Sequence, residues 1–313
     1  MNEVRRATNV VVLMGGRSAE REVSLNTASQ VAAALRETGH TVTEIDSAEP
    51  DFIEQLRHAG PDAVFICLHG RFGEDGTVQG LLELLDIPYV GSGVLASALA
   101  MDKLMSKRVF EHAGLASPQY VELHRSQPID LDAIVAKLGA KSVVKPANEG
   151  SSVGMSIVHE PSELAAAIEK AFACDEGVLV ERFVAGAEVT VGVIGNADIM
   201  ALPTLEIVPE HEFYDYESKY VPGMSSHIIP ARVSQEARDE CQSLALAAHR
   251  LLGCRGMSRA DTIVTADGEV WLLEINTIPG MTSTSLLPDS ARAAGIEFPQ
   301  LCERLVALAM EPR

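Results

Sequence analysis

The chain has few aromatic residues, few cysteines and a shortage of basic charge, and each scarcity removes a class of function. Lys and Arg number 25 against 44 Asp and Glu, a net charge of −19, which opposes binding to nucleic acid or to an anionic membrane surface. A phosphate-bearing substrate would have to be held by a few local cations. The five cysteines, Cys67, Cys174, Cys241, Cys254 and Cys302, are scattered and never take a paired metal-binding spacing; they read as buried thiols of a reducing cytosol. No cationic-then-apolar leader opens the sequence, and no apolar run approaches the ~20 residues that span a bilayer. The expectation is a cytoplasmic protein that binds no membrane. No internal repeat or low-complexity tract is visible. With 313 residues the chain can bury roughly 75% of its unfolded surface, enough for a core without staples.

Strands alternate with helices at the start. Asn9–Met14 reads as a buried strand, followed by GGRSAEREVS, a helix ending near Gly39 and a strand over residues 41–45. Residues 62–68 form a third strand, Thr77 to Leu85 a helix and Pro88 to Val90 a short strand. This alternation predicts a parallel, doubly wound sheet, in which ligands gather at the carboxyl ends of strands, where Gly15–Glu20 and His69–Gly76 fall. After Met101 the pattern changes. A helix starts at Asp102, the strand KSVVKP leads into NEGSSVG, a helix runs over residues 162–173, and the strand GVLVERF follows. A β-rich stretch from Glu188 to Glu206 precedes a helix from Ser234 to Leu252 with Ala237, Cys241, Leu244, Ala248 and Leu251 on one stripe. A last helix covers residues 299–309. Three units result, 1–101, 102–184 and 185–313.

The segment RADTIVTADGEVWLLEIN, Arg259 to Asn276, carries the strongest chemical signal. Asp267-Gly268 between apolar runs marks a hairpin. With those two as the loop, opposing residue numbers sum to 535, which sets Asp261 across from Glu274 and Arg259 across from Asn276, all on one face. Trp271, Leu273 and Ile275 then point into a core. Two carboxylates and an amide oxygen make a hard-oxygen set suited to magnesium; the plain alternative is a solvated face. Next comes TIPGMTSTSL, which presents backbone N–H groups beside the charges. Lys145 ends a strand just before a loop with Gly150, Ser151, Ser152 and Gly154, suited to lying over phosphates, and Lys103 adds a cation at a helix start.

Lysine-ended strand, glycine loop and GEVWLLEIN together occur in ATP-grasp enzymes. More closely, GGRSAEREVS (Gly15 to Ser24), LHGRFGEDG (Leu68 to Gly76), MDKLMSK (Met101 to Lys107), VKPANEGSSVG (Val144 to Gly154), YDYESKY (Tyr214 to Tyr220) and LLEINTIPGMTSTSL (Leu272 to Leu286) resemble the D-alanine:D-alanine ligases, in that family's order.

The resemblance implies a mixed α/β and α+β architecture. In it an ATP-grasp fold follows an N-terminal doubly wound parallel-sheet domain and is split into a central and a C-terminal subdomain. It also implies ATP-dependent joining of two D-alanines through an acyl phosphate, for peptidoglycan precursors, in a commonly dimeric protein. Asp261, Glu274 and Asn276 would hold magnesium, two ions with manganese as a substitute. Arg259 and the Gly280 N–H would meet the oxyanion. Glu20, supported by Ser151 and Tyr220, would bind the first D-alanine's amine, with His69 nearby. Ser285 and Leu286 would hold the second D-alanine. Lys103, Lys145 and Lys219 would reach ATP phosphates, and Glu181 and Glu188 the adenine amine and ribose hydroxyls. The family commonly has lysine where Arg182 stands. Residues 206–227 would form a lid, since three of the chain's five tyrosines fall within Tyr214 to Tyr220 and a disordered tract would be poor in aromatics.

Other readings stay open on the residues alone. GSGVLA, Gly91 to Ala96, fits a dinucleotide fingerprint, yet a lysine-containing helix stands where the ribose-binding acid belongs. An ATP-grasp ligase with another acceptor, such as D-lactate or D-serine, and a non-catalytic ATP sensor are further possibilities.

Overall fold

The computed structural model describes residues 7–209 and 225–312. In the first unit, strand β1 (Asn9–Met14), helix α1 (Arg21–Glu37), β2 (Thr41–Asp46), α2 (Phe52–Ala59), β3 (Ala63–Ile66), α3 (Thr77–Leu84) and α4 (Val94–Met101) follow one another. The strands pair in parallel in the order β2-β1-β3, and Tyr89 adds a single parallel bridge to Val64 where a short strand was expected. Both faces are covered: Val11, Leu13, Val64 and Ile66 pack with α2 and α3 residues such as Leu56 and Leu82, while Val10, Val12 and Phe65 lie on the other face with α1.

The central unit contains α5 (Lys103–His112), β4 (Tyr120–His124), α6 (Leu131–Leu138), β5 (Ser142–Pro146), β6 (Ser156–Val158), α7 (Leu164–Phe172) and β7 (Gly177–Arg182). Its antiparallel sheet runs β4-β7-β5-β6. Asp102 caps α5 by accepting from the Leu104 and Met105 amides at 2.9 and 3.0 Å, as a residue that favours N-caps should.

The third unit adds β8 (Ala187–Gly195), β9 (Met200–Ala201), β10 (Leu205–Pro209), β11 (Ser225–Ile228), α8 (Gln235–Leu252), β12 (Gly256–Val264), β13 (Val270–Asn276), α9 (Leu286–Ala293) and α10 (Phe298–Ala309). Its main sheet order is β11-β10-β8-β12-β13. Ser234 caps α8 and Gly253 ends it in the left-handed conformation. The buried stripe of α8 corrects the expected one at its end: Leu252 is 3% exposed and Leu251 38%, because Leu251 stands a heptad after Leu244 and so drifts about 20° further from the buried face, while Leu252 stays with Ala248 on it.

The last helix packs on both the third sheet and the first. Leu301 and Leu305 of α10 are fully buried in the cluster that contains Val10, Val12 and Phe65 of the first sheet. Each such leucine contributes about 1.5–3 kcal/mol, so the two ends of the chain share one core.

Candidate active site

Strands β12 and β13 pair Arg259 with Asn276 and Asp261 with Glu274, as the sequence predicts, but by a different route. The loop has three residues, not two. Val264 faces Val270, and the Gly268 amide donates to the Thr265 carbonyl at 3.0 Å. A bulge between Asp261 and Thr262 on one side and Leu272 and Glu274 on the other leaves Leu273 unpaired and restores the expected register. One irregularity cancels the other. The bulge also shifts the alternation, so the core residues of β13 are Val270, Leu272 and Ile275, where Trp271, Leu273 and Ile275 were expected.

On the opposite face Arg259 and Asp261 are 9% and 7% exposed. The guanidinium grips Asp261 through Nε and Nη2 at 2.8 and 2.7 Å, and the Thr190 hydroxyl donates to Asp261 Oδ1 at 2.6 Å. Asn276 Oδ1 accepts the Ile278 amide at 2.9 Å, which starts the turn into the loop after β13. The donor set of two carboxylates and one amide oxygen fits a hard divalent cation. Among the described residues no group of three His, Cys, Asp or Glu side chains forms a metal cage, so any cation here would keep ligands from water or phosphate.

Glu20 stands at the N-cap of α1 and is 9% exposed. The loop before it needs glycine: Gly15 has φ +72°, and a Cβ there would lie 2.3 Å from Asp46 Oδ1. Asp46 is committed to Arg21 at 2.5 Å. The Ser151 hydroxyl, from the loop after β5, donates to Glu20 Oε1. A Cβ on Gly70, at φ +66°, would come 3.0 Å from Glu20 Oε2, so bare backbone lets His69 and Glu20 approach. His69 Nδ1 lies 3.3 Å from Glu74 Oε1, and its buried Nε2 has no hydrogen-bond partner among the described residues. Burial alone would push the imidazole pKa down; the hydrogen bond to Glu74 and the charges of Glu74 and Glu20 outweigh it, and the net direction is up.

The loop after β5 also meets the cations. Lys103 Nζ donates to the Glu149 carbonyl at 2.7 Å. Lys145 Nζ donates to Glu181 Oε2 at 2.6 Å. Glu181 is 2% exposed, and its Oε1 lies 2.5 Å from Lys107 Nζ. The carboxylate expected at the adenine amine is thus spent on two lysines, because a buried carboxylate is stable only when compensated. Burial would raise its pKa, but the two ammoniums bring it below the ordinary value. Glu188 lies at the start of β8, half-buried, and its negative charge acts on Lys145.

Beyond β13 the segment Gly280–Leu286 folds on itself. Ser285 Oγ accepts the Thr282 amide at 3.1 Å and lies close to Gly280, where a Cβ would approach it to 3.1 Å. The Ser283 amide donates to Gln30 of α1 at 2.8 Å. Leu286 turns its side chain into a cluster with Leu205 and Ile207, so only its backbone can face a ligand.

Residues 109–307 match the family described as D-ala D-ala ligase C-terminus, and residues 47–92 match D-ala D-ala ligase N-terminus. The chain belongs to the D-alanine–D-alanine ligase family. It is 53% identical over 301 residues to the D-alanine–D-alanine ligase of Desulforudis audaxviator, covering 96% of this chain and 98% of that one. It is 49% identical over 308 residues to the enzyme of Pelotomaculum thermopropionicum, covering 96% of each. The structure of D-alanine–D-alanine ligase from Bacillus anthracis complexed with ATP aligns with a TM-score of 0.85 at 33% identity, covering 97% of this chain and 98% of that one. The fold is accordingly the ATP-grasp architecture of these ligases.

Within this ligase family member the structure brings together Glu20 with Ser151, and Arg259 with Asp261, and links Lys103 and Lys145 through one loop. Lys219 and Tyr220 lie outside the described residues, as does Tyr214. Sequence reasoning missed Lys107, Glu74 and Thr190. Lys107 had a usable signal, standing four residues after Lys103 and so on the same helix face.

Proposed function

We infer that this protein joins two D-alanines into D-alanyl-D-alanine while ATP is cleaved to ADP and phosphate. The observation that supports this most directly is the loop after β5: it gives Ser151 to the carboxylate of Glu20 and Glu149 to Lys103, with Lys145 at its root. An amine-binding carboxylate and phosphate-binding cations therefore share one short segment. Glu20 holds the ammonium of the first D-alanine, and His69 borders it. The carboxylate of that D-alanine attacks the γ-phosphate to give an acyl phosphate. The second amine then attacks the acyl carbon and phosphate leaves.

Arg259 and the Gly280 N–H stabilise the oxyanion formed at that carbon. Ser285 and the Leu286 backbone receive the second D-alanine's carboxylate at the start of α9, where peptide N–H groups favour an anion. Lys103 and Lys145 hold phosphates, and Glu188 the ribose. Asp261, Glu274 and Asn276 are the residues that would hold magnesium, two ions with manganese as a substitute, whose charge offsets that of the phosphates. From the resemblance alone come Lys219 as a further phosphate contact, Tyr220 as the second support of Glu20, and an adenine contact at Glu181, made through its backbone since its carboxylate is held by Lys107 and Lys145. Homodimerisation and a place in peptidoglycan synthesis rest on the same ground, whereas a cytoplasmic location rests on the scattered cysteines and the division at residues 101 and 184 on the change of pattern along the chain. Among the described residues no helix is long and apolar enough to cross a membrane.

The test is phosphate release from ATP with D-alanine, with D-lactate, with both and with neither. Release that depends on D-alanine and yields the dipeptide supports the reading; release indifferent to D-alanine overturns it.

A further inference from the structure

Lys107 is 1% exposed, the one fully buried lysine among the described residues. A buried ammonium is costly unless compensated, and here the compensation is shared. Its Nζ lies 2.5 Å from Glu181 Oε1 and donates to Ser117 Oγ at 2.5 Å and to the Leu272 carbonyl at 3.4 Å. The other oxygen of Glu181 accepts Lys145 Nζ at 2.6 Å. Two ammoniums thus divide one carboxylate, and the trio carries a net positive charge in a water-poor setting. Leu272 is on β13, whose next outward-facing acid is Glu274, and the Leu272 amide is held by the Ala116 carbonyl at 2.8 Å. Lys107 therefore ties the central sheet to the strand that carries Glu274 and Asn276.

We propose that Lys107 is a positioning residue for the nucleotide: by holding one oxygen of Glu181 it stops that carboxylate from closing fully on Lys145, leaving the Lys145 charge only partly neutralised and directed toward phosphate. The role rests on the ligase reading above and adds a residue that never needs to touch ATP. Without Lys107, Glu181 becomes a one-to-one partner of Lys145, and the charge available to an incoming phosphate falls. Removing the Glu181 charge as well should then release Lys145. A residue that only filled space would show no such compensation.

The experiment measures binding of a non-hydrolysable ATP analogue with magnesium to wild type, K107M, K107R, E181Q and the K107M/E181Q double variant. KM for ATP, KM for D-alanine and Tm are followed in parallel. K107M is expected to weaken analogue binding at least about tenfold while KM for D-alanine at saturating ATP stays within about twofold. K107R should stay within about threefold of wild type, and E181Q should restore at least about threefold in the K107M background. Analogue affinity within about twofold of wild type in K107M, whatever its Tm, overturns the proposal, as does further weakening when E181Q is added. If K107M does not fold, K107Q keeps a polar tip for Ser117 without the charge and is held to the same limits. Failure of the ligase reading is seen separately, as wild-type phosphate release that ignores D-alanine.

Discussion

Arg259 and Asp261, two residues apart on β12, close on each other through two hydrogen bonds of 2.8 and 2.7 Å. Such a spacing puts both side chains on one strand face, and the fork of a guanidinium matches a carboxylate. The pairing orients the guanidinium before any substrate arrives. Arg259→Lys keeps a charge but loses the fork. Turnover should fall about 10²- to 10³-fold, as for loss of an oxyanion donor, with a stability loss of only about 1–2 kcal/mol. Steady-state kinetics and urea unfolding on one preparation check this; a loss of stability without loss of rate would place Arg259 outside the chemistry.

Ser151 donates to Glu20 although its backbone sits at φ +49°, a region that non-glycine residues seldom adopt. A hydrogen bond to a charged group is worth about 1.5–3 kcal/mol. Ser151→Ala is therefore expected to raise KM for the first D-alanine at least about tenfold and to leave KM for ATP within about threefold. Equal rises in both constants would count against a role confined to Glu20.

His249, on α8, is buried with Nδ1 2.7 Å from Ser258 Oγ and Nε2 without a hydrogen-bond partner among the described residues. Burial first, and the charge of Arg250 second, bring its pKa to about 4. In the unfolded chain it titrates near the ordinary ~6.5. Between those values the unfolded chain binds the additional proton, so stability declines as pH drops below about 6.5 and levels off below about 4. The decline amounts to about 3 kcal/mol. His249→Gln should remove most of that slope, read from urea unfolding at pH 7 and pH 4.5; a variant that loses stability as steeply as wild type would refute it.

Leu273 is the extra residue that returns the β12–β13 pairing to register. Deleting it would remove the bulge and leave Glu274 directly across from Asp261 on the same face, because the three-residue loop would then set the register of the whole hairpin. The expected outcome is folded protein with turnover within about tenfold of wild type. Loss of all turnover in folded protein would show that the bulge itself, and not the register alone, shapes the site.

Much of this site was legible because its chemistry is local. Glycine beside a carboxylate, lysine before a glycine loop, and acids spaced two apart on a strand are patterns of neighbours in the chain. The hairpin shows the limit. Asp267-Gly268 marked the turn, but a loop of two or three residues and a bulge at Leu273 differ only in packing against α8, which local spacing does not encode. The resulting error in the core face of β13 and the correct pairing of Asp261 with Glu274 come from the same cause.

By itself the sequence determined the parallel first sheet, the capped helices α5 and α8, and the groups proposed to meet ATP and an amino acid, because periodicity, capping and residue chemistry act over a few positions. The tertiary structure alone decided which charges answer one another. Glu181 goes to Lys107 and Lys145, Ser151 to Glu20, and α10 to the first sheet, since each joins segments far apart in the chain, and a buried charge or apolar face accepts whichever partner folding brings within reach.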